Sequence, residues 1–203
     1  MKYPFLASFL VFCAVFYLRN RKVDKQRERN KKEYFDLEAK ANNTRKQPLD
    51  NLDYIKIPLE TLPTSICTED SIISECLSDL NELVKDDIVN FTGLTNTDLK
   101  LQYGPANLPY LQKCDMCYTH LVRILHEWAK QLYSLDQHKD ALTVLEYAIS
   151  INADISNIYF MCADIYLEND TPEKIDNLIE TASSLNSVLK DSIIRTLNSK
   201  KAN

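Results

Sequence analysis

The sequence predicts an all-α fold, and three observations carry that expectation. Glycine is scarce: Gly93 and Gly104 are the only two in 203 residues. From about residue 69 to residue 197, apolar side chains recur every three or four positions, the spacing that lines one face of a helix. A pattern of large and small residues also recurs after 34 positions. Sandwiches and barrels need glycine in their turns, and Rossmann or P-loop sites need it where backbone meets phosphate, so both classes recede.

Charge divides the chain. Residues 1–32 carry nine Lys/Arg and two Asp/Glu, a net of +7. The whole chain is −5, so the remaining residues sum to −12. An acidic body repels a polyanion, and no nucleic-acid partner is expected.

The first element is the uncharged run PFLASFLVFCAVFYL at residues 4–18. As a helix it extends roughly 22 Å, against a hydrocarbon core of about 30 Å. Counting from Met1 to Leu18 approaches the lower limit for a span, with Lys2 and Arg19 able to snorkel to the interfaces. Bulky Phe16, Tyr17 and Leu18 leave no small-residue cleavage site. Phe12 stands before Cys13, where a lipoprotein signal needs a small residue. The expectation is an uncleaved, single-pass transmembrane anchor at residues 1–18, in the cell membrane. Eight basic residues (Arg19, Arg21, Lys22, Lys25, Arg27, Arg29, Lys31 and Lys32) follow it, against Lys2 on the other side. The positive-inside rule then puts the N-terminus outside and the C-terminal domain in the cytoplasm. Cys67, Cys76, Cys114, Cys117 and Cys162 form no disulfide-framework pattern, as expected of reduced thiols. Three glycosylation sequons, beginning at Asn42, Asn90 and Asn169, matter only if the body is lumenal in a eukaryote.

Residues 19–48 read as a basic helical stalk, with apolar residues too sparse for a coiled-coil seam. The stalk is expected to keep the helix soluble and to meet anionic lipid head groups, so membrane lipid is one expected partner. Pro48, Pro58 and Pro63 then punctuate residues 49–66, where Leu49, Leu52, Tyr54, Ile55, Ile57, Leu59 and Leu62 recur among polar residues. Proline forbids a continuous helix or a central strand. The segment is expected to be an extended strap over the body, or to fill a groove from which a ligand displaces it.

Residues 67–203 form the expected α-helical domain. Thr68-Glu69-Asp70 offers an N-cap and an acidic first turn for a helix to about residue 86. A short helix is expected at Thr97–Gln102. A long helix starts near Pro109 and runs some 27 residues without a breaker. Helices follow at Lys139–Ile151, Ser156–Glu168, Pro172–Leu185 and Val188–Leu197.

The register of these helices repeats. Trp128-Ala129, Leu132, Ala141, Leu145 and Ala148 recur 34 residues later as Cys162-Ala163, Tyr166, Ile175, Ile179 and Ala182. This helix-turn-helix period resembles the tetratricopeptide repeat over roughly residues 122–187. Small residues stand where that family's helices cross: Ala129, Ala141 and Ala148, then Ala163 and Ala182. The family's helix-ending proline is replaced by Ala153, its glycine beside the large residue is alanine in both copies, and Ile175 stands where alanine is usual. The resemblance implies antiparallel hairpins whose inner helices line a concave, peptide-gripping face. Three repeats are usually needed for a stable solenoid. The helices at residues 69–86, 106–120 and 188–198 therefore serve as irregular caps. By helical phase, the partner-binding candidates on the inner helices are Arg123, Glu127, Lys130, Gln131, Asn157, Phe160 and Asp164.

No catalytic constellation stands out, and neither enzyme activity nor a cofactor is expected. HEWAK at residues 126–130 lacks the second histidine of a zincin motif. Cys114 and Cys117 form the chain's one CxxC, with His120 three residues on. These positions share a helical face that a metal could see, but structural zinc needs another ligand pair and a turn between ligands. Packing thiols are the expectation. The expected function is a membrane-anchored scaffold or adaptor that holds a protein or peptide partner. The alternatives are an obligate helical subunit of a membrane complex, or a metal or thiol sensor using Cys114, Cys117 and His120.

Overall fold

The computed structural model describes the backbone of residues 4–202 and, ahead of Val15, the side chains of Ser8, Phe9, Phe12 and Cys13. Among the described residues the fold is all-α. The helices are α1 (Pro4–Asn42), α2 (Ser71–Leu83), α3 (Asn96–Tyr103), α4 (Leu108–Ser134), α5 (His138–Ser150), α6 (Ser156–Glu168), α7 (Lys174–Ser184) and α8 (Lys190–Ala202). A single 3-10 turn, Pro105–Asn107, precedes α4. Two compact units divide the chain: Met1–Gln47 with Thr95–Leu108, and Pro48–Leu94 with Pro109–Asn203.

In the first unit, α1 packs on α3. Thr95 caps α3 with a reciprocal box, its hydroxyl accepting from the Asp98 amide while the Asp98 carboxylate accepts from the Thr95 amide. Glu38 of α1 accepts from Thr97 Oγ1 at 2.8 Å and from Lys100 Nζ at 2.5 Å. Gly104 sits at φ 86° and ψ 147°, a conformation reserved for glycine. A Cβ there would lie 2.7 Å from the Arg45 carbonyl oxygen. Asn107 completes the unit by donating to the carbonyls of Gln47 and Tyr103, each at 2.8 Å.

The expected membrane-crossing helix is not supported. Among the described residues no helix is long and apolar enough to cross a membrane. The physical reason lies in α1 itself: its apolar run stops at Leu18, and the same helix continues into the basic segment from Arg19. Met1 and Lys2, part of that expectation, lie outside the described residues.

In the second unit, Asp70 caps α2 by accepting from the amides of Ile72 and Ile73. Its carboxylate is tied in turn by Gln131 of α4, at 2.8 Å. Helix α4 runs 27 residues, about 40 Å. Leu121, Leu125, Trp128 and Leu132 keep one of its faces wholly inside the core. Helix α5 packs on α6, α6 on α7 and α8, and α7 on α8. Ala129, Ala141, Ala148, Ala163 and Ala182 are fully buried. A larger side chain at any of them would hold the backbones apart.

The turns repeat as the side chains do. Asp136 after α4 and Asp170 after α6 both adopt positive φ, 57° and 53°. The Gln137 amide donates back to Leu132, and 34 residues later the Thr171 amide donates to Tyr166. The Asp136 amide donates to Tyr133, and the Asp170 amide to Leu167. Each helix end is thus closed by the same pair of bonds, which satisfy its last carbonyls.

Residues 48–70 contain no helix. Their main chain meets the body where the Ile55 amide donates to the Ile88 carbonyl at 2.9 Å. Ile55, Ile57 and Leu59 pack partly buried on the core, and Leu62 is buried. Beside them lies a buried polar hub. The Tyr118 hydroxyl donates to the carbonyls of Ile151 and Asn152, and receives a bond from Asn90 Nδ2 at 2.9 Å.

Candidate partner-binding face

The seven residues placed on the inner helices do not form one free surface. Arg123, Glu127 and Lys130 are exposed along α4, and Asn157 is exposed at the start of α6. Glu127 pairs with Lys130 at 3.4 Å and lies 3.6 Å from His126 Nδ1. Gln131 holds the carboxylate that caps α2. Asp164 is paired with Lys200 of α8. Phe160 packs partly buried against the core. Four of the seven therefore remain as a polar, charged strip, while Gln131, Phe160 and Asp164 tie helices together.

His126 completes that strip. Helical phase left it aside, and only its contact with Asn157 of α6 reveals it. Asn157 Nδ2 lies 3.0 Å from His126 Nε2, so the amide donates to an unprotonated ring nitrogen. Burial holds the imidazole below its ordinary value, and Lys130 adds to this against the opposing pull of Glu127.

Cys114 and Cys117 are buried. Burial, the largest cause for each, raises both thiols above their ordinary range. Deeper in the body, burial pushes Cys162 up to about 12. Thiols held protonated are poor ligands and poor nucleophiles. His120 is exposed and lies 3.5 Å from Asp79. Among the described residues no group of three or more His, Cys, Asp or Glu is placed to hold a metal, and Cys114, Cys117 and His120 do not converge on one.

A second cluster joins the two repeat turns. Tyr133 and His138 stack with ring centroids 4.4 Å apart. Both hold Glu168, Tyr133 donating to Oε1 at 2.7 Å and His138 Nδ1 lying 2.9 Å from Oε2. This carboxylate, foremost among the causes, pushes the Tyr133 phenol up to about 12. The trio clasps the end of α6 to the start of α5.

No family model, curated protein or solved structure matches the chain. The site's own geometry is therefore what identifies its chemistry.

Two cavities flank the strap. One, of about 550 Å³, lies between residues 53–56 and the C-terminal ends of α5 and α7, where Ser150, Asn152, Ser184 and Asn186 line it. The other, of about 400 Å³, lies between residues 54–57 and the segment Val84, Asp86–Ile88. Neither contains any of the seven expected partner-binding residues. Tyr54, which lines both, is anchored by its hydroxyl 3.3 Å from that of Tyr110, which donates to Asp87 at 2.7 Å.

Proposed function

We propose that this protein is a membrane-associated adaptor of the tetratricopeptide-like type, whose helical body holds a protein partner. The observation that carries the reading is the strip Arg123, Glu127, Lys130 and Asn157, exposed on helices whose opposite faces are fully buried. Charged groups fixed on a rigid core recognise a partner through complementarity, with little ordering cost on binding. The 34-residue recurrence of helix, small residue and turn adds to the tetratricopeptide likeness.

The membrane half of the reading rests on α1. Phe9, Phe12, Val15, Phe16, Tyr17 and Leu18 are exposed, and the basic segment follows directly. Apolar side chains next to clustered cations suit a bilayer whose head groups are anionic. The body belongs on the cytoplasmic side in this reading.

The test is affinity purification of the full chain from its own membranes. The wild type is compared with Arg123→Glu/Lys130→Glu and with Glu180→Lys, an exposed change on α7. A protein lost from the first variant and retained by the second supports the strip. An identical set of proteins from all three overturns it.

A further inference from the structure

We infer that the turn-free stretch of the strap, residues 53–58, occupies, in cis, a docking groove for an extended peptide. Its occupant in trans would carry apolar residues at alternate positions with a basic residue between the first two. This rests on the reading that the body binds a protein partner, and it gives that partner a second place to bind.

The strap is held as a bound peptide would be. Ile55 and Ile57 stand at alternate positions and pack on the core, the period of an extended chain seated on one face, before the chain turns at Pro58, whose carbonyl accepts from the Thr61 and Leu62 amides. Two contacts hold its main chain independently of side-chain identity. The Ile55 amide donates to the Ile88 carbonyl, and the Tyr147 hydroxyl donates to the Lys56 carbonyl at 3.2 Å. Any extended segment offers the same amide and carbonyl at those places.

The seat is larger than its occupant. Cavities of about 400 and 550 Å³ lie on the two sides of residues 54–56. The smaller cavity also sets the charge preference. Lys56 lines it together with Asp86, which Lys113 pairs at 2.6 Å, and Asp87, which among the described residues accepts only from the neutral Tyr110 hydroxyl, so a negative charge is left facing that position. A basic residue at that position is favoured and an acidic one repelled.

A strap attached by its own chain competes at high effective concentration, so a free peptide sees only the fraction of molecules with an open seat. The probe is the fluorescein-labelled peptide LDYIKIPLETL, the sequence of residues 52–62. It is titrated against the full chain in mild detergent. The hosts are the wild type and Ile55→Asp/Ile57→Asp, which unseats the resident strap. The expected result is saturable binding to the variant, at least about tenfold tighter than to the wild type. A peptide carrying the same two aspartates should bind neither. A variant that keeps its helical circular dichroism but does not bind, or equal binding by both hosts, overturns the proposal. Because that variant tests folding as well, hydrogen exchange on the wild type gives an independent reading. The Ile55 amide should exchange at least about a hundredfold faster than that of Leu145 in α5, as expected of local opening. Equal protection of the two overturns the proposal. Peptide binding that survives Arg123→Glu/Lys130→Glu separates this seat from the α4 strip, so either reading can fail alone.

Discussion

Tyr118 and Tyr159 are both buried tyrosines, and they predict opposite responses to loss of the hydroxyl. The Tyr159 hydroxyl and Trp128 Nε1 are buried without a hydrogen-bond partner among the described residues. Burial pushes the Tyr159 phenol up to about 12. Tyr159→Phe removes an unpaired polar atom and should be neutral or stabilising by up to about 1 kcal/mol. Tyr118→Phe removes the centre of the hub with Asn90, Ile151 and Asn152, and should cost about 1–3 kcal/mol. Urea unfolding of the two variants measures both. His126 predicts a pH effect. Its folded value lies below the ordinary 6.5 because it is buried. The unfolded chain therefore binds a proton that the folded one resists. The resulting stability is full above pH 6.5 and declines as pH falls from there through the lower folded value. His126→Gln should flatten that part of the stability profile; an unchanged slope would count against the assignment. Periodicity in the sequence placed Trp128 on the helical stripe. It had no means of showing whether a buried polar atom is paired, because pairing depends on which side chains arrive from other helices.

Helices were the most legible part of the chain. The expected Ser156–Glu168 is α6 itself, and α5 differs from Lys139–Ile151 by one residue at each end. The misses have local causes. Helix α2 stops at Leu83 because the amides of Lys85 and Asp86 turn back to Glu82 and Leu83 in three-residue bonds. Helix α7 starts at Lys174 because Lys174 and Ile175 first close tight turns to Thr171 and Pro172. The small residues of the 34-residue pattern are buried, and they make a sharp prediction. Ala163→Leu inserts a branched side chain where the structure leaves no exposed surface, and should cost about 1–3 kcal/mol or more. A melting temperature within a degree of wild type would contradict the close crossing. Asp70 gives the element-scale pH effect. The Ile73 amide, then Gln131, holds its carboxyl below the usual 3.8. The stability from this cap is complete above that value and is lost as pH falls through the lowered one. Asp70→Asn should therefore reduce the acid sensitivity of α2. The strap's seat was not legible, since Ile88 and Tyr147 lie 33 and 91 residues from the strap atoms they hold.

At the scale of the molecule, composition and charge located the acidic helical body and the basic segment, while the membrane span read from hydropathy is not supported. Among the described residues no helix is long and apolar enough to cross, and α1 turns basic at Arg19. Association with a lipid surface remains a separate, measurable property. The full chain should float with vesicles of phosphatidylserine and phosphatidylcholine more than with phosphatidylcholine alone. Lys25→Glu/Arg27→Glu/Arg29→Glu should abolish the difference. Raising salt from 0.1 M to about 1 M should weaken it as the screening length contracts to roughly 3 Å. Lipid-independent flotation would leave only the apolar run to account for binding. The matched turns at Asp136 and Asp170 carry a consequence for how such a chain can grow. Because both are closed by the same bonds at a spacing of 34 residues, the block 137–170 begins and ends in the same backbone geometry. A tandem duplication of that block after Asp170 should splice without a new loop, adding two helices that present to α7 and α8 the surface they already meet. The lengthened protein should gain helical ellipticity in proportion and unfold with a larger dependence on urea. Such a block is a unit of inheritance as well as of structure: a copying error of the right length would be read as architecture.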